Sequence, residues 1–120
     1  MKTQSKGKAG EDKAATYLEQ KGHVIIKRNF YNRYGEIDII SLDGDELVFT
    51  EVKARQRDIE TALSSISRSK RRKLSKSAML FLTAHDEYGD FVTRFDVIVL
   101  TDTPDQIYHL ENAFTPDLIQ

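Results

Sequence analysis

At 120 residues, 39% of them hydrophobic, the chain can bury one modest core and is too short for two comfortable domains, so residues 1–120 read as one domain. The absence of cysteine excludes a disulfide framework and a thiolate metal site. No apolar run approaches the roughly 20 residues that cross a bilayer, and the polar start from Met1 to Lys6 lacks the apolar region of a signal peptide, so a cytoplasmic protein is expected. The formal net charge of -1 hides an asymmetry: between Thr50 and Lys76 nine Lys or Arg face three acids, whereas from Ser77 onward Arg94 alone faces eight. Such polarity focuses a positive field on one side, where a phosphate backbone docks.

Residues 1–6 are polar with nothing to pack, and disorder is expected there. A helix is predicted from about Lys8 to Gln20, with Ala14, Ala15 and Leu18 on its apolar stripe and Gly22 as its stop. Glu11 lies one turn before Ala14 and Ala15 on the inward side; a first-turn acid favoured by the helix dipole is the plainer reading of it. Val24 to Phe30 reads as the first strand, with Arg28 leaving it toward the active side, and Asn29 to Tyr34 as a polar and aromatic bend before Gly35. Tyr31, Arg33 and Tyr34 in that bend are candidates for contact with nucleic acid, although aromatics beside a turn more often pack against their own domain.

From Gly35 to Arg55 the sequence is GEIDIISLDGDELVFTEVKAR. Two apolar arms flank Asp43-Gly44-Asp45, a strong hairpin signal. Antiparallel pairing of the arms brings Asp38 near Glu51, and period-two alternation puts Glu51, Lys53 and Arg55 on one face. Glu36 has the parity of Asp38; it either points toward the site or fixes Lys53 or Arg55 by an ion pair. Two carboxylates suit Mg²⁺ or Mn²⁺, which take hard oxygen ligands, and an ammonium beside them can orient water and offset charge on a phosphoryl oxygen. The plainer alternative is an edge hairpin carrying solvated charges. Against it, Glu51 and Lys53 directly follow a strongly apolar strand, where a buried charge needs a partner or ligand.

Beyond the hairpin, Asp58 to Ile66 has helical spacing, and Ser67 reads as the cap of a longer helix to about Leu82 with Leu74, Ala78, Phe81 and Leu82 inward. Arg68, Lys70, Arg71, Arg72, Lys73 and Lys76 make this second helix basic without an acid among them, which favours phosphate contact over a merely solvated surface. Phe91 to Leu100 is the best remaining strand, with an apolar end expected in a central position, and Ile107 to Leu110 a short edge strand. His23, His85 and His109 fall singly at element ends without ligand-like spacing, which argues against a histidine-based zinc site. The element order predicts an α/β sandwich, a mixed sheet of four to five strands covered by helices on both faces.

The segments Gly35-Glu36-Ile37-Asp38, Leu47-Val48-Phe49 and Glu51-Val52-Lys53-Ala54-Arg55 resemble the YraN-like family of small, uncharacterised bacterial proteins. The likeness extends to Gly10-Glu11 with Ala14, Ala15, Tyr17 and Leu18, to Arg28-Asn29-Phe30, to Lys70–Leu74, to Arg94-Phe95-Asp96-Val97 and to Asn112-Ala113-Phe114, nearly the whole chain. By resemblance the family falls in the PD-(D/E)XK nuclease superfamily, near archaeal Holliday-junction resolvases, with a restriction-endonuclease-like fold. The resemblance implies a catalytic core of Asp38, Glu51 and Lys53 with Glu11 as auxiliary acid, and Ile37 stands where the superfamily motif has proline. The implied cofactor is Mg²⁺ or Mn²⁺ on Asp38 and Glu51, with Glu11 and Glu36 as further candidate ligands. Arg28, Arg33 and Arg55 join the six basic residues of the second helix as candidate DNA contacts. Two functions follow: a metal-dependent endonuclease acting on branched or structured DNA, or a nucleic-acid-binding protein that keeps a nuclease scaffold with little turnover. A homodimer would enlarge the small DNA-binding surface and pair two cuts across a duplex or junction.

Overall fold

The computed structural model of the chain describes residues 2–115, with side chains from residue 7 onward. The disorder expected at residues 1–6 falls on Met1 and on side chains that lie outside these described residues. Helix α1 (Lys2–Gln20) begins earlier than the predicted Lys8. It ends as predicted at Gly22, whose φ of 98° few other residues tolerate. The His23 amide donates to the Leu18 carbonyl and the Gly22 amide to that of Glu19, a Schellman closure.

Strands β1 (Val24–Asn32), β2 (Gly35–Asp43), β3 (Glu46–Gln56), β4 (Val92–Asp102) and β5 (Asp105–Phe114) form one sheet in the order β1-β2-β3-β4-β5. The β2–β3 hairpin closes through Gly44-Asp45, with Asp43 opposite Glu46 and Gly44 at φ 64°. Strand β4 lies parallel to β3, so the chain must cross over between them, and it does so through α2 (Ile59–Ser64) and α3 (Arg68–Ala84). The other neighbours are antiparallel, which makes the sheet mixed. Asp58 caps α2 by accepting from the Thr61 amide at 2.7 Å, and Ser67 caps α3 by accepting from the Lys70 amide at 3.1 Å. Strand β5 is longer than the expected Ile107–Leu110 segment.

Alternating side chains bury two cores, one on each face of the sheet. Leu74, Ala78 and Phe81 of α3 pack on Ile37, Ile40, Leu47, Phe49, Phe95, Val97 and Val99. On the opposite face Ala14, Ala15 and Leu18 of α1 cover Ile39, Ile98 and Leu100. Helix α1 crosses β3 so closely at Gly10 that an added Cβ would stand 2.8 Å from the Ala54 Cβ. The expected α/β sandwich, a mixed five-stranded sheet with helices on both faces, is thus the architecture. Among the described residues no helix is long and apolar enough to cross a membrane.

Candidate active site

The central sheet forks. Strands β2 and β3 pair from Asp43 and Glu46 up to Ile39 and Thr50, and no further. Beyond that point β2 stays with β1 as far as Gly35, and β3 stays with β4 as far as Gln56. Ile37 and Ile40 both belong to the α3-side core, although strict period-two alternation would put them on opposite faces, so the alternation slips once between them. Asp38 sits in this slip, at the crotch of the fork. Its Oδ2 accepts from the Val52 amide at 2.7 Å, replacing a strand partner that the parting backbone no longer supplies.

Glu11 reaches the same place from α1, one residue past the close crossing at Gly10. Glu36 comes from the start of β2. One carboxylate oxygen from each of Glu11, Glu36 and Asp38 lies within 4.8 Å of the others, the only such metal-ligand cluster among the described residues. Asn29 holds two of them, its Nδ2 donating to Glu11 Oε1 at 2.7 Å and to Glu36 Oε2 at 2.6 Å. Asn29 lies between the Arg28–Ile39 and Phe30–Ile37 pairs and takes φ 55°, a left-handed conformation that asparagine tolerates better than most residues.

Glu51 is buried on the other tine, where Lys70 of α3 places its Nζ 3.3 Å from Glu51 Oε2. Burial raises the proton affinity of the Asp38 carboxyl and the charge of Glu51 adds to it, while the Val52 amide opposes; the net effect pushes its pKa up to about 8. Burial also raises that of Glu51, offset in part by the charges of Lys70 and Lys53. Lys53 shares the strand parity of Glu51 and is half-buried. The donor set is therefore all carboxylate, crowded and partly desolvated, and it suits a hard divalent cation whose charge would relieve the repulsion. Glu11, Glu36 and Asp38 would hold such an ion directly, with Glu51 beside them.

The basic residues separate into groups. Arg68, Lys70, Arg71, Arg72, Lys73 and Lys76 are all exposed along α3. Lys70 and Lys73 line a cavity of about 200 Å³ between α3 and the β1–β2 turn, with Tyr34 and Glu36 on its opposite wall. Arg33 and Lys76 stand over the Tyr34 ring at 5.1 and 5.6 Å. Arg28 is engaged with α1, its Nη2 2.7 Å from Asp12 Oδ1 and 4.0 Å from Glu11 Oε1. Arg55 departs from the expected face: at φ 58° it occupies a bulge where the β3–β4 register shifts, and it lines a cavity with Gly10 and Lys13 of α1.

Histidines that stand far apart in the sequence meet in the fold. The His23 and His109 rings lie 6.1 Å apart on the α1 face, where His109 Nε2 is 2.7 Å from Asp96 Oδ2 and His23 Nδ1 is 2.9 Å from Ser41 Oγ. Arg94 binds Asp96 through both Nε and Nη2 and also reaches Asp43 and Glu46. Burial would raise the Asp96 carboxyl, but hydrogen bonds from His109, Arg94 and the Asn112 amide outweigh it and hold it below the ordinary carboxylate range. This satisfied network reads as structural, and spacing along the chain gives no sign of it. Asn29 and the Lys70–Glu51 pair are equally hidden from sequence reasoning; the one signal for Asn29 is an amide residue flanked by strand residues opposite Asp38.

Known proteins resemble this chain over most of its length. The model of an uncharacterised protein family, UPF0102, matches residues 10–100, which include every member of the acidic cluster, Lys53 and α3. A UPF0102 protein of Sulfurihydrogenibium is 44% identical over 116 residues, covering 95% of this chain and 96% of its own. One of Persephonella marina is 42% identical over 113 residues, covering 93% and 95%, and one of Stutzerimonas stutzeri is 40% identical over 116 residues, covering 93% and 96%. The resemblance carried by the residues thus holds at the level of the family: the chain belongs to UPF0102.

Proposed function

We propose that this protein is a Mg²⁺- or Mn²⁺-dependent endonuclease of the PD-(D/E)XK type, acting on branched or otherwise structured DNA. The observation that carries the reading is the convergence of Glu11, Glu36 and Asp38 within 4.8 Å at the fork, beside buried Glu51 and under an acid-free basic helix. A divalent ion bound there supplies Lewis-acid stabilisation of charge on a phosphoryl oxygen. The chain's own residues do the rest. Asp38, fixed by the Val52 amide, and Glu11 and Glu36, fixed by Asn29, hold ligand oxygens in place before substrate arrives, which lowers the cost of ordering the site. Lys53, on the Glu51 tine, orients the attacking water or offsets phosphoryl charge; sole general-base duty would require a lysine with strongly depressed proton affinity. Exposed bases on α3 take phosphates flanking the cut, contacts that position DNA without reading its sequence.

The test is incubation of purified protein with linear duplex, single-stranded, flap and four-way-junction DNA in Mg²⁺ or Mn²⁺, with the Glu51→Ala protein as control for contaminating nuclease. Metal-dependent cleavage of junctions or flaps that disappears in the control is the expected outcome. If no substrate is cut above the control, the nucleic-acid-binding scaffold replaces the enzyme.

A further inference from the structure

We propose that Lys70 is a positioning residue that exchanges partners, releasing Glu51 to the metal site when a nucleic-acid phosphate enters the cavity beside it. The inference rests on the nuclease reading and adds to it a coupling between metal and DNA.

The geometry is lopsided. The Glu51 side chain is 8% exposed and the Lys70 side chain 45%, so a buried acid is neutralised by a flexible cation that reaches in from water. A lysine so exposed has a choice of partner, whereas Glu51 has none as good unless a metal ion comes. Lys70 also lines the 200 Å³ cavity, together with Lys73, Tyr34 and Glu36. The cavity therefore has two lysines of α3 and one acid of the cluster, Glu36, in its lining. Lys70 also sits in the first turn of α3, where its amide is held by the Ser67 cap. The dipole of a 17-residue helix disfavours a cation at that end and favours an anion, so an arriving phosphate gains from the helix, from Lys70 and from Lys73 together.

Three of the four cluster acids already point at one another, and Glu51 is the one tied elsewhere. Withdrawal of Lys70 toward a phosphate takes from buried Glu51 the larger of its two compensating cations, leaving Lys53, and so raises the affinity of the cluster for a cation. By linkage the metal must favour the phosphate to the same extent, because each removes what the other competes with. The consequence is a site that fills in earnest only with DNA present.

The experiment measures Mn²⁺ binding to the full chain, from the electron paramagnetic resonance of the free ion, with and without an immobile four-way DNA junction. All chains carry Lys53→Met to keep the junction uncut. In this parent the junction should tighten Mn²⁺ binding by about tenfold, within the usual range of couplings between sites. With Lys70→Met added, Mn²⁺ binding without DNA should strengthen and the coupling should fall to about one. Lys70→Arg, which keeps the charge and the reach, should retain most of the coupling. Lys73→Met should weaken junction binding yet leave the coupling factor intact, separating weaker phosphate binding from failure of the exchange. An unchanged coupling factor in the Lys70→Met chain overturns the role of Lys70 while leaving the nuclease reading in place. Failure of the parent to bind Mn²⁺, with or without the junction, overturns both.

Discussion

Asn29 spans two acids with one amide group, and its backbone and side chain make separable contributions. Replacing it with glycine keeps a residue at ease with φ 55° but removes the bonds to Glu11 and Glu36, whereas alanine removes the bonds and adds strain of roughly 1–2 kcal/mol. Both variants should lose Mn²⁺ affinity in calorimetric titration, and only Asn29→Ala should lose stability of that order in urea unfolding. Asp38 makes a prediction in pH. Its carboxyl titrates higher in the folded chain, near 8, than the ordinary 3.8 of an unfolded one, because burial and the Glu51 charge disfavour ionisation. A group raised in the folded state contributes stability that is complete below its unfolded value and is lost as pH rises toward its folded value. The metal-free protein should therefore lose stability relative to Asp38→Asn as pH rises from about 4 to about 8. His23 runs the other way, since burial lowers its pKa, so its contribution is complete above about 6.5 and fades as pH falls. The difference between wild type and Asp38→Asn isolates the carboxylate from that opposing slope.

Among the elements, the hairpin, the crossover helices and their caps are legible in the sequence because each follows a local rule: Asp-Gly between apolar arms, Asp58 and Ser67 before helical spacing, Leu74, Ala78 and Phe81 on one stripe. The fork is not legible. Period-two alternation assumes an unbroken ladder, and the slip that turns Asp38 toward Glu11, like the bulge that turns Arg55 away from Glu51, shows only when strands are paired in three dimensions. Antiparallel pairing of the arms brings Asp38 near Glu51, whose charge does act on it, and parity matches Asp38 with Glu36. What the sequence does not show is that Glu11 joins Asp38 and Glu36, and that Lys70 pairs with Glu51. Helix α3 offers two tests. Ser67→Ala should cost about 1 kcal/mol by freeing the Lys70 amide, measured by denaturant unfolding. Changing Arg71 and Lys73 to alanine should weaken DNA binding across many sequences and flatten the dependence of log affinity on log salt by about 0.9 for each phosphate that the variant no longer neutralises. An unchanged slope would place the nucleic acid elsewhere.

For the molecule as a whole, two polar centres occupy opposite ends of one sheet. At the hairpin end Arg94, Asp96, His109, Asp43 and Glu46 neutralise one another in a satisfied network. At the fork Glu11, Glu36 and Asp38 crowd together. The first end should matter for folding and the second for binding. Arg94→Met leaves Asp96 buried without its bidentate partner and should cost about 3–5 kcal/mol in urea unfolding, with Mn²⁺ affinity of the folded fraction unchanged. Total charge gives no hint of this division, since Asp43 and Glu46 lie far from Arg94 in sequence and meet it only once the strands are side by side.

The bond from the Val52 amide to Asp38 bears on how relatives of this protein are compared. Because that side-chain oxygen mends the sheet where two strands part, selection for folding alone would keep an acceptor at position 38, aspartate or asparagine, even in a descendant that had lost all chemistry. Lys53 closes no such gap, and Glu11 is held by the Asn29 side chain from outside the strand ladder. In a divergent relative, the survival of an oxygen acceptor at position 38 is therefore poor testimony to activity, and the joint survival of Glu11 and Lys53 is much better.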